Sequence, residues 1–335
     1  MKRLTIAQIL HQYPFTVEFF QQNRLDITGF EQLCFEDYLE QLDERELEEK
    51  AIDPKNLPEE LNEYIRQMSI FLGLEKNNKV QSLTILPGHD KKAVPENFDE
   101  LVILPSQIVA IVGPTGSGKS RLLADIEWAA QRDTPTGRSI LINNTLPDAK
   151  WRYSPNNKLV AQLSQNMNFV IDLSVKEFLR LHAQSRMAEN EQKLSAEILA
   201  EANKLAGESF SEDTPVTSLS GGQSRALMIA DTAILSASPI VLIDEIENAG
   251  IDRRKALELL ISQDKIVLMA THDPLLALMA DRRIVIRNGG IDAVLETTQD
   301  EKKLLEKMNR LDCIMQTARR ELRAGKTLHP EKIFV

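Results

Sequence analysis

The chemistry of this chain concentrates in one run, Gly113-Pro114-Thr115-Gly116-Ser117-Gly118-Lys119-Ser120, which satisfies the pattern G-x-x-x-x-G-K-[ST] without a gap. Glycines at these spacings let successive backbone N–H groups turn inward and surround a polyphosphate, and a helix starting at the end of the loop adds its partial positive charge. Lys119 would then reach the β- and γ-phosphates, and the Ser120 hydroxyl would ligate Mg²⁺. Downstream, four apolar residues, Ile240 to Ile243, run into Asp244-Glu245 and deliver two carboxylates to the end of a buried strand. Ile266 to Ala270 runs in the same way into Thr271-His272-Asp273, and Leu159 to Leu163 runs into Ser164-Gln165. Between these stands Leu219-Ser220-Gly221-Gly222-Gln223, where a helix opens and its first amides can meet an anion.

The elements that must position these groups can be read around them. Ile108 to Val112 is a buried strand leading into the glycine-rich loop. Arg121 to Ala130 then places Leu122, Leu123, Ile126 and Ala130 on one helical face. A strand, a loop and a helix in that order are the context the motif requires. Arg138 to Ile142 reads as another strand, and residues 174–206 read as helical. Ile284 to Ile286 with the Gly289-Gly290 turn predicts a hairpin, and residues 79–105 read as short strands and turns. Residues 1–78 show helical periodicity instead. A capping box at Thr5–Gln8 opens a first helix, and further helices are expected from Phe15, around Phe35 to Leu47, and over Glu59 to Leu72. Beyond Gly290 a long helix is expected. In it Leu304, Met308, Leu311, Met315, Ala318 and Leu322 recur in alternating steps of four and three, an a/d seam. Packing of that seam on the chain's own core is the preferred reading, and a dimer or partner contact is the other.

The 335 residues, 42% of them hydrophobic, suffice for one large or two smaller domains. The most apolar stretch, Ala226 to Ile243, is interrupted by Asp231 and Pro239 and does not make a membrane span. Cys34 and Cys313 lie far apart in the chain, which points to a reducing compartment, and a cytoplasmic protein is expected. Residues 1–78 hold 8 Lys/Arg against 16 Asp/Glu, a net of −8 out of the chain's −10. Neither part has the basic surplus of a nucleic-acid binder, so a nucleic-acid partner is not expected.

The order GPTGSGKS, a glutamine-bearing strand end, LSGGQ, four apolar residues plus Asp-Glu, and a strand ending in His resembles the ATP-binding cassette (ABC) ATPases over residues 79–290. The resemblance implies an α/β fold, a P-loop NTPase of the ABC type with a RecA-like core and a helical subdomain at residues 172–218. It implies ATP and Mg²⁺ as ligands, with Gly113 to Arg121 around the nucleotide. Asp244 would hold Mg²⁺ opposite Ser120, Glu245 would be the general base, and His272 would contact the γ-phosphate. Gln165 would sense Mg²⁺ and γ-phosphate; Gln162 lies in the same strand, and the following Leu173-Ser174-Val175-Lys176-Glu177 favours Gln165. Ser220, Gly221, Gly222 and Gln223 would meet nucleotide held by another subunit, which implies a head-to-tail homodimer with ATP sandwiched between subunits. The chain departs from the family at Arg121, where Thr is common, at Ile246, where Pro is common, and over Glu247 to Asp252. No adenine-stacking aromatic stands out, His89 and Phe98 being the rings near the loop.

The opening forty residues are similar to small helical domains of iron–sulfur repair and hybrid-cluster-associated proteins, with Cys34 in place of their cysteine pair. A buried Cys34 without metal is the expected state. Three segments follow from these readings: an acidic helical domain at 1–78, the ATPase domain at 79–290, and a C-terminal helix and tail at 291–335. The expected function is a soluble ABC-type ATPase that remodels, assembles or reactivates a protein partner held by residues 1–78, with a metallocofactor role in view. The alternative is the ATP-binding subunit of a transporter with a separate membrane permease.

Overall fold

The computed structural model describes residues 4–43, 47, 53–54, 56–71, 80–147, 151–152, 158–164, 169–186, 188, 190–245 and 250–328. Contacts cluster the chain into two compact units, one made mainly of residues 1–78 and one of residues 79–154, 158–182 and 192–335.

The first unit contains α1 (Ile6–Gln12), α2 (Thr16–Gln22), α3 (Phe35–Leu39) and α4 (Leu57–Phe71). The capping box at its start forms as expected: Gln8 N–H donates to Thr5 Oγ1, and Thr5 N–H donates to Gln8 Oε1. Ile6, Phe19, Phe20, Phe35, Tyr38 and Leu61 make the core, in which Phe20 meets Phe35 edge-on at 5.6 Å. The buried Tyr38 hydroxyl is satisfied by donating to Asp26 O at 2.9 Å. The helix expected to run from Phe35 to Leu47 stops at Leu39. Phe35, Tyr38 and Leu39 are buried while Glu40 and Gln41 are exposed, and a short helix persists only while tertiary packing supports it. Cys34 is half-buried and pairs in a β-bridge with Thr5.

The rest of the chain runs β1 (Leu83–Leu86), β2 (Leu101–Ile103), β3 (Ile108–Val112), α5 (Lys119–Glu127), β4 (Ser139–Ile142), β5 (Val160–Leu163), α6 (Val175–Ser185), α7 (Glu191–Leu205), α8 (Gly221–Ile234), β6 (Ile240–Asp244), α9 (Arg253–Ser262), β7 (Ile266–Ala270), α10 (Pro274–Met279), β8 (Arg282–Arg287), β9 (Gly290–Glu296) and α11 (Gln299–Arg323). An antiparallel sheet has the order β2-β1-β4, and a larger sheet has the order β5-β6-β7-β3-β8-β9. In the larger sheet every pairing is parallel except the β8–β9 hairpin. Its central strands are covered on both faces: Val109 and Ile111 enter one core, and Ile108 and Ala110 the other. That is why they read as unbroken apolar runs rather than as an alternation. A third core joins α6, α7 and α8 through Val175, Leu179, Ile198, Ala202, Leu227 and Ala230. The expected Arg121–Ala130 helix begins earlier, at Lys119, and ends at Glu127, since Ala129 takes a left-handed φ of 46°. Among the described residues no helix is long and apolar enough to cross a membrane.

The a/d seam of α11 does not pack on the chain's own core. Leu304, Leu311, Met315 and Leu322 are exposed. The helix is held instead by ion pairs: Glu301, at the start of the seam's own face, pairs with Arg283 at 2.6 Å, and Asp312, on the flank, with Arg253 at 3.3 Å.

Candidate functional site

Polar residues gather at the carboxyl ends of β3, β6 and β7, the side of an open parallel sheet where crevices form between diverging connections. β3 lies between β7 and β8 and opens directly into the glycine-rich loop. Gly113 has φ 151° and Gly118 has φ 112°. A Cβ on Gly113 would lie 2.4 Å from the Ile286 carbonyl oxygen, and one on Gly118 would lie 2.9 Å from Gly289 Cα. The β8–β9 turn therefore closes onto the loop too tightly for any side chain at either position. Gly289 N–H donates to Ser117 O at 2.7 Å and Lys91 Nζ donates to Gly116 O at 3.2 Å. Asp90 anchors the segment that carries Lys91. The backbone N–H of Val94, and then the Asn288 side chain, hold its carboxyl below the usual range.

Lys119 is buried, and its three ammonium protons have three acceptors: Gly113 O at 3.0 Å, Pro114 O at 3.3 Å and His272 Nε2 at 3.0 Å. An ammonium has no lone pair, so His272 must accept here, which assigns its proton to Nδ1. The same Nε2 lies 3.5 Å from Glu245 Oε1. It can turn an acceptor to Lys119 or a donor to Glu245, but not both at once. Glu245 has a left-handed φ of 52° directly after β6, and its N–H donates to Ala270 O at 3.1 Å. The structure thus brings together Lys119, His272 and Glu245, with Asp244 ending β6 beside them in the chain. Gln165 lies outside the described residues, as do 246–249. Pro114, Thr115, Gly116 and Ser120 are exposed on the open side of the loop, and Arg121 is exposed on α5.

Ser220 caps α8 through a second capping box: Gln223 N–H donates to Ser220 Oγ at 3.3 Å and Ser220 N–H donates to Gln223 Oε1 at 2.9 Å. Gly221 and Gly222 form its first turn, and Gly250 packs against Gly222. Among the described residues, the side-chain hydrogen bonds of Ser220 and Gln223 run between these two residues and to Glu208 O, not to the glycine-rich loop.

Sequence reading missed one cluster that holds this site together. Arg138 is fully buried, with Nε and Nη2 on Glu96, Nη1 on Asp125 Oδ2 at 2.9 Å, and Nη2 on Gly289 O at 3.0 Å. It ties the helix behind the loop to the turn in front of it. No local spacing links residues 96, 125, 138 and 289, so only an arginine among apolar strand residues could have drawn attention to it.

The donors suit Mg²⁺. The Ser120 hydroxyl and the Asp244 carboxylate are hard oxygens, and Mg²⁺ usually takes few protein ligands and fills its shell with phosphate and water. The buried Ser117 Oγ has no hydrogen-bond partner, a polar atom within the cradle that an oxyanion could satisfy. Among the described residues no cluster of three or more His, Cys, Asp or Glu side chains could hold a metal by itself. Of the two candidate rings, Phe98 packs against the core of the sheets. His89 lies against Gly137, with Nδ1 3.1 Å from Asp90 O.

A strand–loop–helix cradle at the carboxyl end of an interior strand of a parallel sheet, with carboxylate and imidazole delivered by neighbouring strands, defines a P-loop nucleotide-binding domain. A family model described as ABC transporter matches residues 99–248. An uncharacterized ABC transporter ATP-binding protein of Methanocaldococcus jannaschii is 50% identical over 255 residues, 76% of this chain and 97% of its own length. The thiamine import ATP-binding protein ThiQ of Yersinia pestis is 34% identical over 224 residues, 64% of this chain and 88% of its own. Two solved structures share the fold at 21% identity and a TM-score of 0.50. One is the ATP binding subunit of an ABC transporter, covering 67% of this chain and 93% of its own. The other is cbiO1 from Clostridium perfringens, covering 72% and 96%. The chain belongs to the ABC transporter family of ATP-binding proteins: it is an ABC-type ATPase, whose ligands are ATP and Mg²⁺.

Proposed function

We propose that this chain is the ATP-hydrolysing subunit of an ABC transporter, acting as a head-to-tail homodimer coupled to a membrane permease on a separate chain. The observation that carries the reading is the 50% identity to a protein named as an ABC transporter ATP-binding protein, over 97% of its length. The expectation of a soluble protein partner held by residues 1–78, with a metallocofactor role, finds no support among these relatives. Among the described residues no helix is long and apolar enough to cross a membrane, and this reading assigns the translocation path to the permease.

On this reading the loop amides from Gly113 to Ser120 hold the phosphates, and Lys119 exchanges its carbonyl and imidazole acceptors for phosphate oxygens. Ser120 and Asp244 would hold Mg²⁺, which would supply neutralising charge at the phosphates. Gln165 would contact that ion and the γ-phosphate. Glu245 orients the attacking water and takes its proton as the water oxygen bonds to the γ-phosphorus. The β–γ bridging oxygen leaves on ADP with the bond's electron pair. His272 donates to the γ-phosphate instead of accepting from Lys119, so the loop's state sets the imidazole's partner. The first amides of α8, behind Ser220, Gly221, Gly222 and Gln223, meet the γ-phosphate held by the second subunit, where the helix dipole favours the anion.

Glu245→Gln tests this. It keeps shape and hydrogen bonding but cannot accept the proton, so hydrolysis should fall at least about a hundredfold while ATP still binds. Light scattering with Mg-ATP, on the same chain with the exposed Leu311 and Met315 of α11 both replaced by Asp to exclude pairing through that helix, should then show nucleotide-dependent association. Hydrolysis at the wild-type rate would remove Glu245 from the mechanism, and a mass indifferent to nucleotide would remove the sandwich. Coexpression with candidate permeases, followed by isolation through this subunit, tests the transporter assignment.

A further inference from the structure

α11 carries an interaction surface that nothing in the ATPase cycle uses. Leu304 is 48% exposed, Leu311 61%, Met315 54% and Leu322 58%. Met308 and Ala318 are half-buried and complete the same stripe. The stripe recurs with the 3.5-residue spacing of a coiled-coil seam, with Met308, Met315 and Leu322 at a, and Leu304, Leu311 and Ala318 at d. From Leu304 to Leu322 it spans about 27 Å at the helical rise. On one flank Leu305 and Asp312 are half-buried, and Asp312 holds Arg253. On the other flank Lys307 is exposed and Ile314 and Glu321 are half-buried.

The pattern is self-complementary in one orientation. Laid antiparallel on a second copy with the two-fold axis beside Cys313, Leu311 faces Met315, Met308 faces Ala318, and Leu304 faces Leu322 of the second copy. Every a residue then meets a d residue, and the longest seam side chain at the middle layer meets the smallest. The free flank has the same symmetry. Lys307 and Glu321 lie seven residues on either side of Ile314. In the antiparallel pair each Lys307 faces Glu321 of the second copy, and the two Ile314 side chains meet at the axis. In the single chain Glu321 meets the exposed Lys326 at 3.3 Å, and Lys307 is exposed. Opposite charges on both wings and apolar groups at the centre are what an isologous contact requires.

We propose that α11 pairs antiparallel with α11 of a second copy, giving a homodimer that forms without nucleotide. The contact does not rest on the ATP sandwich, and its test needs no ATP. The full-length chain at tens of micromolar, free of nucleotide, should scatter light as twice 37.8 kDa. Leu311→Asp with Met315→Asp, both exposed in the single chain, should return the mass to 37.8 kDa with unchanged circular dichroism. Glu321→Lys should weaken the dimer about tenfold, and adding Lys307→Glu should restore it. In a Cys313→Ser background, Ile314→Cys should cross-link into a dimer under mild oxidation, while Lys307→Cys should not. A wild-type chain that is monomeric without nucleotide overturns the proposal. A dimer that survives the double aspartate variant, or that cross-links at Lys307→Cys and not at Ile314→Cys, overturns it too.

Discussion

Replacing Arg138 by Met tests whether the buried cluster behind the phosphate loop stabilises this unit. The side chains of Arg138 and Asp125 are fully buried and that of Glu96 is 1% exposed, so water cannot compensate for the lost guanidinium. Met matches the arginine's length but offers no donors. Glu96 would retain the N–H groups of Gly88 at 2.8 Å and Ile291 at 2.5 Å, and Asp125 the Thr136 hydroxyl at 2.8 Å. Two buried carboxylates would nonetheless lose their only shared cation contact described here, and breaking a buried ion pair from one side costs about 3–5 kcal/mol. For a unit of this size that corresponds to a fall in Tm on the order of 10 °C. The assay is urea and thermal unfolding followed by tryptophan fluorescence. Trp128 and Trp151 are the chain's two tryptophans, and both lie in the second unit, so the signal reports that unit alone. Arg138→Lys should fall between, since one ammonium cannot span Glu96, Asp125 and the Gly289 carbonyl together. A loss below about 1 kcal/mol for Arg138→Met, the size of an exposed pair, would refute the argument.

Lys119→Ala should weaken ATP binding more than about tenfold by calorimetry and abolish hydrolysis, because it removes the point charge at the phosphates; unchanged affinity would place the nucleotide elsewhere. Ser220→Arg, introduced into the Glu245→Gln chain, should prevent ATP-dependent association while leaving ATP bound to each chain, and association that persists would detach Ser220 to Gln223 from the interface. Burial lowers the pKa of Lys265 from 10.5 to about 8, its ammonium facing Ser236 O at 2.7 Å and Ser238 O at 3.0 Å. Between pH 8 and 10.5 the unfolded chain therefore holds a proton that the folded chain has released, and stability relative to Lys265→Met should rise with pH across that window by up to about 3 kcal/mol. A flat difference between the two proteins over that range would show that the carbonyl contacts offset the burial.

What could be read from the sequence was local. The phosphate loop, the two strand ends and the capped start of α8 each declare themselves within a dozen residues, because backbone geometry at those points admits few residue types. Glycine is required at Gly113 and Gly118, and serine followed by Gln223 makes a capping box whatever lies elsewhere. The Arg138 cluster was not legible for the opposite reason. Its contacts join residues separated by 42, 13 and 151 positions, so no window contains them. The C-terminal helix is an intermediate case. Its a/d repeat was plain, but the repeat does not say whether the seam meets its own core or water. That depends on Arg283 and Arg253, which hold the helix at Glu301, the first residue of the seam's face, and at Asp312 on its flank. The early end of α3 was likewise set by which side chains found tertiary contacts, not by helix propensity.

The position of Glu245 shows how neighbouring strands make a site that neither encodes alone. β6 and β7 pair in parallel up to Asp244↔Ala270. Continued as strand, the chain would send the next side chain to the opposite face of the sheet from Asp244. Instead Glu245 adopts a φ of 52°, a conformation that costs a non-glycine residue about 1–3 kcal/mol and persists only where its surroundings fix it. Here the fixing contact is its own N–H, which donates to Ala270 O, the last carbonyl of β7. The same carbonyl precedes Thr271 and His272 in the chain. One hydrogen bond therefore ends both strands in register and sets Glu245 Oε1 3.5 Å from His272 Nε2. Thr271 N–H donates to Ile111 O on β3, two residues before Gly113, so the imidazole is referenced to the strand that carries the loop. Lys119, at 3.0 Å from the same nitrogen, closes the circuit. Main-chain bonds among three adjacent strands thus fix the backbone from which the carboxylate, imidazole and ammonium project.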